Sequence, residues 1–143
     1  MTNHVQSKFE DFRPPTSIKL ALLWASVMFL YFYNDYFSMY TPGTIDDMAK
    51  GRLGPMGQAT DPVLAGLAIM LAVPALMISL SALITPWVSR WLNVVVGLVY
   101  TAIEAVTLFG SPLFYKIVVT AEIMLTVLIV FHALRWPKHA SHA

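Results

Sequence analysis

Apolar residues fill four stretches of the chain, at about 17–40, 62–84, 86–109 and 112–136. Each is long enough to cross a hydrocarbon core of ~30 Å, which takes ~20 helical residues. The three later stretches share a start signal: Asp61-Pro62, Thr85-Pro86 and Ser111-Pro112 each set a capping side chain before a proline. A cap accepts a bond from an orphan helix N–H, and proline at the first helical position gives up nothing. Gly110 is placed to close the third stretch, and Pro137 follows Trp136 to stop the fourth. The pattern predicts an all-α, integral membrane four-helix bundle over 17–136, with a polar segment at 1–16 and a polar tail at 137–143. The first segment ends in Pro14-Pro15 and lacks the short apolar core and small-residue cleavage site of a signal peptide, so the first stretch is expected to be retained as a span.

Composition agrees. Of the 143 residues, 57% are hydrophobic and 12% charged, and mean hydropathy is +0.66. A soluble domain carries about 25% charged residues. The net charge of +1, with no basic run, argues against nucleic acid as a partner. The absence of cysteine excludes disulfides, thiolate metal sites, iron–sulfur clusters and thiol nucleophiles within this chain. His139 and His142 are too sparse for a metal site, His132 beside Arg135 and Trp136 reads as an interfacial anchor, and His4 lies at the opposite end from the acids. No metal is expected, and no cofactor is specified.

The remaining charges orient the bundle. With four spans, both termini share a side with the connection near Arg90. That side holds Lys8, Arg13, Lys19, Arg90, Arg135 and Lys138, against Lys50, Arg52 and Lys116 on the other. The bias predicts cytoplasmic termini in a bacterial inner membrane. Trp87, Trp91 and Trp136 at one end, with Tyr36, Tyr40 and Tyr115 at the other, fit interfacial belts.

Spacings of three and four residues then sort the faces. The second stretch collects Ala65, Ala68, Ala72, Ala75, Ser79 and Ala82. This small-residue stripe is expected to pack inside the bundle, with a homodimer face as the other reading. Pro74 is expected to kink that helix. The same spacing gives Trp24, Met28, Tyr31, Asp35 and Ser38 in the first stretch. It gives Asn93, Gly97, Tyr100, Glu104 and Thr107 in the third, and Tyr115, Val119, Glu122, Thr126, Ile129 and Ala133 in the fourth. Each of these carries one carboxylate that lipid cannot solvate, so each stripe is expected to face the interior. At 1.5 Å per residue, Asp35 and Glu104 lie roughly 8 Å below their outer helix ends, and Glu122 roughly 15 Å. Asp35, Glu104 and Glu122 are therefore the candidate acid/base or proton sites, and Tyr31, Asn34, Tyr100, Tyr115, Lys116 and Thr126 the candidate ligand-binding residues. At least one carboxyl, with Glu122 the first candidate, is expected to hold its proton. The inner half offers only Asn93 and His132, so a polar pocket opening outward beneath the 41–61 loop is expected. In that loop Thr44 and Asp47 predict a short helix ending before Gly54-Pro55, as a lid or a plain connector.

WASVMFLYFYNDYFSMYTPG (24–43), RWLNVVVGLVYTAIE (90–104) and HALRWP (132–137) resemble a small uncharacterised bacterial membrane family. That family is in turn similar to the DoxX-like group of four-helix membrane proteins, some associated with quinone-linked oxidation of sulfur compounds or with redox homeostasis. The resemblance implies the bundle and a redox link, and maps no catalytic set onto this chain. Three functions stay open. One is binding or processing of a small amphiphile (quinone, sterol-like or lipid-derived) between the acids and aromatic walls from Tyr31, Phe32, Tyr33, Tyr100 and Phe114. The second is a small proton-coupled transporter, and the third a non-catalytic accessory subunit. Whether the chain is an enzyme is not decided by its residues.

Overall fold

The computed structural model describes residues 13–137. The charges of Lys8 and Lys138, His4 and the tail histidines lie outside the described residues. The described chain is all-α: α1 Thr16–Ser38, α2 Thr44–Ala49, α3 Asp61–Leu83, α4 Pro86–Thr107 and α5 Leu113–Leu134, with a 3₁₀ turn at Gly54–Met56. Helices α1, α3 and α5 are long and apolar enough to cross a membrane. Helix α4 is 22 residues long. Its inner stripe of Ser89, Asn93, Tyr100 and Glu104 takes the place of residues that would make it apolar all round. α4 packs most extensively on α5, α1 packs on both α3 and α5, and α3 also touches α4.

The prolines start the helices, but the expected side-chain caps do not form. Asp61 is already the first residue of α3, with Thr60 at its N-cap. Pro112 itself precedes α5. The Ser111 hydroxyl turns back to the Thr107 carbonyl at 2.5 Å, an orphan acceptor at the end of α4. Gly110 takes φ +78° in the turn to α5, a conformation only glycine holds without strain.

The expected packing of the small stripe on α3 is overturned. Ala65, Ala68, Ala72, Ser79 and Ala82 are exposed and Ala75 is half-buried, while Pro74, Met77 and Ser81 face inward. Helix α3 packs chiefly on α1, while Ser81 and the Met70 carbonyl each bond to α4. Helix α3 also continues through Pro74.

The core is built from Leu20, Trp24 and Val27 of α1, Met77 of α3, Val94 and Tyr100 of α4, and Ile129 and Ala133 of α5. Large apolar side chains also cover the outside, among them Phe29, Phe32, Ile69, Leu76, Ile117 and Met124. An outer surface of this kind is what a bilayer, rather than water, tolerates.

Helix α2 forms as expected. It ends in a Schellman arrangement, with the Gly51 N–H on the Met48 carbonyl and the Arg52 N–H on that of Asp47 at 2.8 Å. Gly51, at φ +67°, makes this turn possible. An Arg52–Asp47 ion pair and a bridge between Arg52 and Gln58 fold the rest of the loop back on itself.

Candidate functional site

Two polar clusters lie inside the helices, and they differ in one respect. The inner cluster is closed. Asn93 sits on the buried stripe of α4, where its Oδ1 accepts from Trp24 Nε1 at 2.8 Å and Ser81 Oγ at 3.1 Å. Its Nδ2 donates to the Ser89 carbonyl at 2.8 Å. Ser89 Oγ in turn donates to the Ser81 carbonyl at 3.1 Å. Three helices are joined, and the Asn93 amide is paired at both ends. Sequence reasoning read this half as nearly empty. The Ser89–Asn93 pair, one turn apart and level with Trp24, was the available signal.

The outer cluster begins with a close approach. A Cβ on Gly97 would fall 2.8 Å from Val130 Cγ2, so only glycine lets α4 and α5 meet here. That approach brings Glu104 onto Thr126, whose Oγ1 lies 3.0 Å from Glu104 Oε2. Thr101 Oγ1 lies 2.9 Å from the same hydroxyl. From α1, the Tyr31 hydroxyl donates to Glu104 Oε1 at 2.6 Å. Thr126 Oγ1 is also 3.1 Å from the carbonyls of Glu122 and Ile123. It has one proton to give.

Two groups in this cluster are left over. Glu122, 2% exposed, has an Oε1 with no hydrogen-bond partner among the described residues, and so does the Oδ1 of Asn34, 6% exposed. Glu122 lies one turn before Thr126 on α5, and the Thr126 hydroxyl reaches Glu104. Buried polar atoms are nearly always paired, because leaving one bare costs its full desolvation. The outer cluster is therefore an incomplete set of oxygens in the half of the molecule nearest the α2 loop.

The expected site residues distribute unevenly. Tyr31, Glu104 and Thr126 meet directly. Glu122 is buried one turn before Thr126 on α5, and Asn34 is buried three residues after Tyr31 on α1. Asp35 is exposed, and its neighbour Asn34 takes the inward position instead. This corrects the expected stripe by one residue. Tyr100 is buried against Trp24 at a ring distance of 6.0 Å, with its hydroxyl on the Met70 carbonyl. Tyr115 is half-buried, edge-on to Phe114 at 6.4 Å, and Lys116 is exposed. Phe32 and Tyr33 point outward and build no inner wall. His132 is half-buried at the opposite end, edge-on to Phe131. The acids do not line either of two open apolar cavities. One, of about 510 Å³, lies between α1 and Ile78 of α3; the other, of about 310 Å³, lies between the end of α1 and Ile45 of α2.

Fold and site thus define an all-α protein with three helices able to cross a membrane and a buried carboxyl cluster among them. Residues 9–142 match the Family of unknown function (DUF6326), and the chain belongs to that family. No curated protein and no solved structure matches it.

Proposed function

We propose that α4 crosses the membrane together with α1, α3 and α5, forming a four-helix bundle with both termini in the cytoplasm. In this reading the outer carboxyl cluster binds or processes a small amphiphilic molecule of quinone, sterol-like or lipid-derived character. The observation that carries it is the pair of buried, unpartnered oxygens, Glu122 Oε1 and Asn34 Oδ1. Both are acceptors, so a ligand offering hydroxyl or N–H donors would complete the set. The closed inner cluster supports the direction of access: its donors and acceptors serve one another, which favours entry from the α2 side. Asp35, Glu104 and Glu122 are the groups available for proton transfer. The resemblance to DoxX-like proteins adds a redox link to this proposal.

Proton-coupled transport is the second reading. It is favoured by two buried carboxyl groups: Glu104, whose Oε2 lies 3.0 Å from the Thr126 hydroxyl, and Glu122, one turn before Thr126 on α5. The exposed small stripe of α3 would then supply a homodimer face.

Native mass spectrometry with lipid analysis on gently purified protein tests the binding reading. A co-purifying amphiphile that disappears in Glu122→Gln supports it. A bare protein in both cases supports the accessory-subunit reading and removes this one. Topology is tested separately: with no native cysteine, Lys50→Cys should react with an impermeant maleimide in intact cells, and Arg135→Cys should not.

A further inference from the structure

The two apolar cavities lie on one face of one helix. The α1 residues lining the first are Ala25, Met28, Phe29 and Phe32, and those lining the second are Tyr36, Met39 and Tyr40. At about 100° per residue these positions all fall within roughly 60° of a single line along α1. The line runs from Ala25, near the helix midpoint, to Tyr40, just past its outer end, a rise of about 22 Å. Half of a ~30 Å hydrocarbon core plus the adjoining interface has that depth. Ile78 of α3 flanks the line in its lower part and Ile45 of α2 at its top. The lower part is lined by apolar side chains. At the outer end the hydroxyls of Tyr36 and Tyr40 meet at 2.9 Å, so polarity arrives at interface level.

We propose that this face of α1 is a groove for one long apolar chain of an outer-leaflet amphiphile whose uncharged, hydroxyl-bearing head sits at Tyr36 and Tyr40. The inference rests on the membrane-embedded, amphiphile-binding reading above and adds where the tail lies. On the helix wheel Asp35 stands between the groove and the inward face that carries Tyr31 and Asn34. A head held at Tyr36 is thereby next to Asp35, at the edge of the face that carries Tyr31 and Asn34. Asp35, exposed and next to Tyr36 in the chain, selects a neutral, donor-bearing head over an anionic one, because a carboxylate repels a like charge.

The test is photolabelling of the protein in nanodiscs with a monoacylglycerol carrying a diazirine near its chain end. Saturable labelling at 25–32 and Ile78, competed by unlabelled monoacylglycerol and several-fold above Ile117, Met124 and Val127 on α5, is the expected result. Uniform, unsaturable labelling of all outward apolar residues would overturn the groove, since it reports ordinary bilayer contact. Ala25→Phe should remove the saturable fraction while leaving the α5 background. Retention of that fraction in a folded Ala25→Phe protein also counts against the groove. Glu122→Gln separates the two readings. Saturable groove labelling in a protein that carries no amphiphile lost in Glu122→Gln leaves the groove and removes the carboxyl site. Loss of a co-purified amphiphile in Glu122→Gln without groove labelling does the reverse.

Discussion

The hydroxyl of Tyr100 donates to the main-chain carbonyl of Met70 at 2.5 Å, and the reason is four residues further along α3. Pro74 has no N–H, so the Met70 carbonyl loses its helical partner. In an apolar interior that acceptor would stay bare, and a side chain from α4 reaches across to fill it. A polar tyrosine and an in-helix proline, unrelated in sequence, are one device.

Tyr100→Phe should therefore cost about 1–3 kcal/mol, the penalty of one orphaned buried acceptor. In a Pro74→Ala background the same change should cost much less, because the restored N–H serves Met70 from within α3. A double-mutant cycle by reversible denaturation in mixed micelles measures this coupling. Equal costs in both backgrounds would refute the link between the two residues.

Gly97 sets the distance between α4 and α5, and through it the contact of Glu104 with Thr126. Gly97→Ala places a methyl 2.8 Å from a branched Val130 side chain that cannot swing away. The expected loss is about 1–3 kcal/mol of stability, as for overpacking generally. Val130→Ala in the same chain should restore most of it by removing Cγ2. Failure of that rescue would show that Gly97 acts through the α4 backbone alone.

The inner and outer clusters should respond differently to removal of a polar group. Asn93→Leu deprives Trp24 Nε1 and Ser81 Oγ of their shared acceptor, and each bare group costs about 1–3 kcal/mol. A shifted Trp24 emission should accompany the loss. Glu122→Gln, by contrast, leaves stability nearly unchanged, because Oε1 has no bond to lose and an uncharged amide of the same shape takes the carboxyl's place. Thermal unfolding of both variants in detergent decides the comparison. A Glu122→Gln protein as destabilised as Asn93→Leu would mean that Glu122 is a structural acid.

These two clusters also mark how far the sequence could be read. The long helices follow from apolar length and from the prolines, since backbone in lipid has few alternatives to helix. The inward stripes of α4 and α5 follow from their spacing, because Asn93, Glu104, Glu122 and Thr126 have no other acceptable direction. Helix α1 is harder. Asn34 and Asp35 are adjacent near the helix end, where both polar types tolerate the interface; both are candidates by residue type, and spacing alone puts Asp35 on the stripe where the fold buries Asn34. Helix α3 is hardest. Its small residues are acceptable against either a helix or lipid, and its bonds to α4 are made by Ser81 and by a carbonyl whose vacancy depends on Pro74. Partners such as Tyr100 for Met70, or Ser111 for Thr107, involve main-chain acceptors that no side-chain pattern displays.

The last prediction concerns one proton. Glu104 has a hydroxyl neighbour on each oxygen, Tyr31 at 2.6 Å and Thr126 at 3.0 Å, a setting that suits a carboxylate. Glu122 is as deeply buried, with nothing on Oε1. Two buried carboxylates in one cluster, with no cation among their hydrogen-bond neighbours, would each bear desolvation and their mutual repulsion. The pair is expected to share a single proton at neutral pH, held by Glu122. Infrared spectra of the protein in lipid should then show a protonated-carboxyl C=O band that is absent in Glu122→Gln and retained in Glu104→Gln. Loss of the band in Glu104→Gln alone would reassign the proton to the partner of Tyr31. No band at any neutral pH would mean both acids are ionised, and a cation would then have to be sought between them.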